Sequence, residues 1–195
     1  DNVKKKINIA KPDASVTAPS TAALNALNKK NIRKISVVTP YIKSVNDDVV
    51  NFFKDNNFEI TSNTYFDIES DVDIGKVDQD QLFEILSKID HKNAEALFVS
   101  CTSLPVLDII EKLEKKLGMI VLSSNQALIW ETLESINRNN SIKGYDHNRL
   151  GMMIPAGTVT IGLIHTTTES SIGNSIDYDA TTLSIAGKVA DGKGK

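Results

Sequence analysis

Short apolar runs alternate with segments of helical spacing along most of this chain, and that alternation constrains the fold more than any other feature. Ile35-Ser36-Val37-Val38 reads as a buried strand closed by Thr39-Pro40. Ala96-Leu97-Phe98-Val99 and Met119 to Leu122 read the same way, and Phe58 to Tyr65 alternates as a β-branched and aromatic strand. Helical spacing recurs between them: Ser20 to Lys30; a segment through Val49, Val50, Phe52 and Phe53; Asp78 to Ile89; Val106 to Leu117; and Ser124 to Ile136. Gly118 suits the stop after the fourth of these. Ser44 or Asn46 can cap the second, and both Asn46 and Asn125 serve better as helix caps than as ligands on residue type alone. Trp130 shares a helical face with Ile129 and Leu133, as a packing residue would. Strands that alternate with helices predict an α/β fold, a parallel sheet with helices on both faces. The first, third and fourth strands are expected to be its adjacent buried members.

Such sheets take ligands at the carboxyl ends of their strands. Here those ends are Thr39-Pro40-Tyr41, Ser100-Cys101-Thr102 and Ser123-Ser124-Asn125, all rich in hydroxyl, thiol or amide groups. The expectation is that Tyr41, Cys101 and the 123–125 turn open onto one cleft. Cys101 precedes a helical segment for which Ser103 reads as the N-cap and Pro105 falls in the first turn. A helix start there would offer free N–H groups and a positive dipole end, which favour thiolate over thiol and can hold a carboxylate or an enolate oxygen. That pairing of anion cradle and proton carrier suits chemistry at a carbon beside a carboxylate. Position alone leaves a second reading open, since free cysteines are among the most buried residue types and are often inert.

Composition excludes several classes. With 22 Lys and Arg against 25 Asp and Glu the net charge is -3, so nothing electrostatic points to nucleic acid. No apolar run is long enough to cross a bilayer, and no basic-then-apolar leader stands at the start, so no membrane is expected. The chain has one cysteine, which suits a reducing cytoplasm and leaves a free thiol to explain. His91, His147 and His165 are too dispersed to argue for a metal, and no Gly-rich phosphate loop is present, so no cofactor is expected. Nothing in the sequence fixes the oligomeric state, and a homo-oligomer is compatible with it.

Several linked motifs resemble one family. They are Val37 to Phe53 (VVTPYIKSVNDDVVNFF), residues 100–110 (SCTSLPVLDII), the Leu-Gly before Met119, residues 123–130 (SSNQALIW) and Thr17 to Leu27. Together they resemble the second half of arylmalonate decarboxylases, maleate cis-trans isomerases and their relatives in ectoine utilisation, within the aspartate/glutamate racemase superfamily. Lys143-Gly144-Tyr145 to Leu150 is similar to a degraded form of that group's closing motif. The resemblance implies a flavodoxin-like half of the racemase fold. It implies Cys101 as the catalytic residue that moves a proton or forms a covalent adduct, and Tyr41 as a binder of a substrate carboxylate. Thr102 and Ser103 would hold an oxyanion through backbone N–H groups, and Thr39 and Asn125 complete the candidate binding set.

The chain then divides into a polar lead-in over 1–12, an α/β domain over 13–150, and an extension over 151–195. Thr158 to His165 with Thr166 to Thr168 either forms an unrelated edge strand or weakly resembles the family's opening strand and loop in permuted order. Cofactor-free isomerisation, decarboxylation or racemisation of a small carboxylic acid is the enzymatic reading. One cysteine argues against a two-cysteine mechanism within this chain and fits a one-cysteine decarboxylase. The alternative is a non-catalytic ligand-binding or regulatory remnant of the same fold.

Overall fold

A computed structural model describes residues 2–135, with side chains from residue 5 onward. In chain order the elements are α1 (Asn2–Ala10), α2 (Pro19–Lys29), β1 (Lys34–Thr39), α3 (Lys43–Asp55), β2 (Glu59–Tyr65), α4 (Asp71–Ile74), α5 (Gln79–Lys88), β3 (Ala96–Val99), α6 (Ile110–Leu117), β4 (Ile120–Ser123) and α7 (Ser124–Ser135). All three strand pairings are parallel and the order is β2-β1-β3-β4. The three apolar runs are therefore neighbours, as their composition required. β2, polar and alternating, takes the outer edge, where one side of the ladder meets solvent.

Register assigns each side chain to a face. Val37 pairs with Phe98 and Phe98 with Leu122, and all three join the apolar layer formed with α2, α3 and α7. Phe98 meets Phe53 of α3 edge-on, with ring centroids 5.1 Å apart. One residue away along each strand, Val38, Leu97, Val99 and Val121 point to the other layer, with Leu82 and Leu86 of α5 and Ile110 and Leu113 of α6. Helices thus cover both faces.

Several local expectations need correction. Residues 2–10 form a helix, not an irregular lead-in. Neither Ser44 nor Asn46 caps α3: its N-cap is Ile42, and Asn46 lies inside the helix, fully buried. The helix after β3 does not start at Ser103. A 3-10 turn over Leu107–Ile109 leads into α6, and no side chain caps it. Pro105 supplies the reason, because the residue before a proline is driven out of the α region. Leu104 instead accepts a bond from the Val106 N–H at 2.8 Å and buries its side chain. The stop at Gly118 stands, with φ of 71° that a side chain would strain. His147, His165, the closing motif over 143–150 and the 151–195 extension lie outside the described residues.

Candidate active site at the carboxyl edge of the sheet

Register also explains why the site residues meet. Val38 pairs with Val99 and Val99 with Ser123, so these three form one row at the carboxyl edge. Ser124 lies one residue beyond that row, Cys101 two, and Tyr41 three. The chain carries all three turns to the same place.

The Cys101 turn is fastened on every side. The Cys101 N–H donates to Ser124 Oγ at 3.1 Å. The Ser103 N–H donates to Cys101 Sγ at 3.3 Å, and Asn125 Nδ2 donates to the Thr102 carbonyl at 3.0 Å. Ser124 and Asn125 occupy the first turn of α7, which is closed by a reciprocal cap. Gln126 N–H donates to Ser123 Oγ at 3.2 Å while Gln126 Oε1 accepts from Ser123 N–H at 3.0 Å. Asn125 is thus not the cap of α7; Ser123 is.

Tyr41 completes the cluster. Its phenol packs against the cluster that holds Cys101 and lies near enough to Cys101 and to the Ser100 side chain for both to act on it. Its loop is pinned by N–H groups after β2: Phe66 to the Thr39 carbonyl, Asp67 to Tyr41 and Ile68 to Pro40, at 2.9–3.2 Å. Burial first, and then the negative charge that Cys101 can carry, push the Tyr41 phenol well above its ordinary value of 10. Tyr41 is therefore a neutral donor throughout the physiological range, not a base. Asp71, at the start of α4, acts on it in the same direction.

Two expectations about this edge change. The thiol does not open to solvent: Cys101 is 3% exposed and belongs to the apolar cluster that includes Val38, Ile74 and Leu104, with Tyr41 packed against it. The helix-dipole source of anion stabilisation is also gone, since the helical turn begins only at Leu107. What faces the sulfur instead is the Ser103 N–H, with the Tyr41 phenol packed beside it. Thr39 is fully buried and donates to Asn46 Oδ1 at 3.1 Å, so its hydroxyl ties β1 to α3.

Ser100 and Ser124 stand in the strand-end triplets, but the sequence assigns no role to either of them or to Gln126. The Ser-x-x-Gln spacing over 123–126 is a readable capping signature; the reach of Ser124 to Cys101 depends on strand register and is not. His91 is buried away from this edge, bonded to Ser36 Oγ and the Leu86 carbonyl. Among the described residues, no three His, Cys, Asp or Glu side chains cluster to hold a metal ion, and no helix is long and apolar enough to cross a membrane. A cavity of about 500 Å³ beside β2, between Asp47 and Lys54 of α3 and Ile60 to Asn63, includes none of the candidate residues.

Known proteins are similar to most of the described chain. A maleate isomerase of Geobacillus stearothermophilus is 28% identical over 125 residues, covering 64% of this chain and 50% of the relative. An arylmalonate decarboxylase of Bordetella bronchiseptica is 28% identical over 119 residues, covering 60% and 50%. A solved Nocardia farcinica maleate cis-trans isomerase, a cysteine-to-serine variant with a covalently bound succinylcysteine intermediate, superposes with a TM-score of 0.70 at 21% identity. That match covers 77% of this chain and 61% of the other, and it bears on the fold. The chain spans about half the length of the curated relatives it matches. The arylmalonate decarboxylase family model matches residues 3–148, well over half of the sequence, and the chain belongs to that family.

Proposed function

We propose that this chain carries the cysteine centre of a cofactor-independent enzyme acting on a small carboxylic acid by isomerisation, decarboxylation or related proton transfer. The observation that supports this most is the Ser103 N–H on the Cys101 sulfur, with the Tyr41 phenol packed beside it, at the carboxyl edge of a parallel sheet where such folds take ligands. Both are donors. They suit a sulfur that is negatively charged during part of a cycle, or one that hands over a proton.

The family relatives suggest two routes. In the isomerase route the thiolate adds to one carbon of a cis unsaturated diacid, and the alkene electron pair moves onto the adjacent carboxylate. Rotation follows about what is now a single bond, and the sulfur leaves as the trans alkene re-forms. In the decarboxylase route the substrate loses carbon dioxide, leaving an enolate, and the Cys101 S–H protonates its carbon. Tyr41, kept neutral, donates to a substrate carboxylate in either route, and the Thr102–Ser103 turn faces the same anion. Thr39 holds the first turn in place through Asn46, and Asn125 holds the second. The single thiol fits a reducing cytoplasm.

One observation favours the non-catalytic alternative: Cys101 is almost fully buried, as an inert packing thiol would be. Incubation with maleate and with an arylmalonate, followed by NMR, separates the two readings. Conversion of either acid by the parent and its loss in Cys101→Ser supports catalysis. No conversion of either acid, or equal conversion by both proteins, refutes it.

A further inference from the structure

The peptide unit between Thr102 and Ser103 is gripped at both ends. Its carbonyl accepts from Asn125 Nδ2 at 3.0 Å, and its N–H donates to the Cys101 sulfur at 3.3 Å. The C=O and N–H of a planar trans peptide point in opposite directions, so fixing one fixes the other; no cis peptide occurs among the described residues. The neighbouring Cys101 N–H is anchored to Ser124 Oγ, so the turn pivots about a fixed point. Ser124 and Asn125 are themselves immobilised by the Ser123–Gln126 cap.

We propose that Asn125 is a positioning residue for Cys101, locking the Thr102–Ser103 peptide so that an N–H, and not a carbonyl, faces the sulfur. Asn125 then acts through the backbone and not by touching substrate. Without its amide, Thr102 and Ser103, which lie in a half-exposed bend outside any helix, are free to turn their shared peptide over. A turned peptide presents a carbonyl oxygen to the sulfur. That removes a donor and adds a repulsive dipole wherever negative charge develops. The inference rests on the reading of Cys101 as the reactive group for its functional weight, but its geometry stands without it.

Among the described residues, the titratable side chain beside the sulfur is Tyr41, from the loop after β1, and Asp71 at the start of α4 acts on Tyr41 in turn. The turn into α7 contributes only the uncharged Ser124 and Asn125. Because the chain has a single cysteine, its alkylation reports one site.

The test is the rate of iodoacetamide alkylation of the full chain against pH, for the parent, Asn125→Ala and the near-isosteric Asn125→Asp. Loss of one N–H donor to a charged acceptor should move the inflection of the Asn125→Ala profile upward by about one pH unit. The rate at neutral pH should then fall roughly tenfold. Asn125→Asp should move at least as far, since its carboxylate cannot donate to the Thr102 carbonyl. Ser36→Ala breaks a buried hydrogen bond away from the Cys101 turn, so it should lower the melting temperature and leave the inflection where it is. Asn125 variants that melt lower but keep the parent inflection would make Asn125 a merely structural residue and overturn the proposal. The outcomes are separable from the function above. Equal turnover by the parent and Cys101→Ser would remove the catalytic reading and leave the inflection result standing.

Discussion

Tyr41→Phe isolates a single hydroxyl. The ring stays, with its packing against the cluster of Val38, Ile74 and Leu104, and only the contacts to Cys101 and Ser100 are lost. At pH 7.5 a neutral hydrogen bond of this kind contributes about 1 kcal/mol, which should lower the melting temperature by roughly 2–4 °C for a chain of this size. The difference shrinks at alkaline pH. The folded phenol titrates above its unfolded value of 10, so the folded state binds more protons there. The stability it contributes is complete below pH 10 and is lost as pH rises from there toward the folded value. An ideal buried group would lose about 1.4 kcal/mol per pH unit. Tyr41 is only partly buried, and screening should reduce this to at most about 1 kcal/mol between pH 10 and 11. Phe has nothing to ionise. Urea midpoints of the parent and variant at pH 7.5 and 10.8 should therefore converge. A gap that stays constant or widens at high pH would refute both the burial of the phenol and its contact with the thiol.

Ser124→Ala leaves the buried Cys101 N–H without its acceptor, and should cost about 1–3 kcal/mol in urea unfolding. Phe98→Ala opens a cavity against Phe53 in the layer under α2, α3 and α7, and should cost about 3–5 kcal/mol by the same assay. Glu95 accepts from the Arg33 and Lys34 N–H groups at the head of β1, and those bonds hold its carboxyl below the usual value. Its contribution is present above the unfolded value and is lost as pH falls through the folded one. Glu95→Gln should flatten the acid limb of a thermal stability profile below about pH 4.5.

The parallel sheet was legible because three of its strands, β1, β3 and β4, are short and apolar on both faces, which a doubly covered sheet explains. The convergence of Tyr41, Cys101 and the 123–125 turn was legible for the same reason, since it follows from where strands end. The details around the thiol were not. Ser103 carries the chemistry of an N-cap, yet Pro105 excludes Leu104 from the helix and the Ser103 N–H goes to sulfur. Asn46 also has the chemistry of a cap, but the entry into α3 begins earlier, and its amide becomes the buried acceptor for Thr39. α1 has too weak an apolar stripe to announce itself, with Ile9 81% exposed.

Protection of Cys101 tests the central claim most directly. If the thiol sits where a small carboxylate binds, maleate or an arylmalonate should slow its alkylation by iodoacetamide in a saturable way, through shielding and through like-charge repulsion. Acetamide, uncharged and of similar size to one carboxylate arm, should not. An alkylation rate indifferent to both acids, up to concentrations at which acetamide is also inert, would contradict the placement of Cys101 in a carboxylate site.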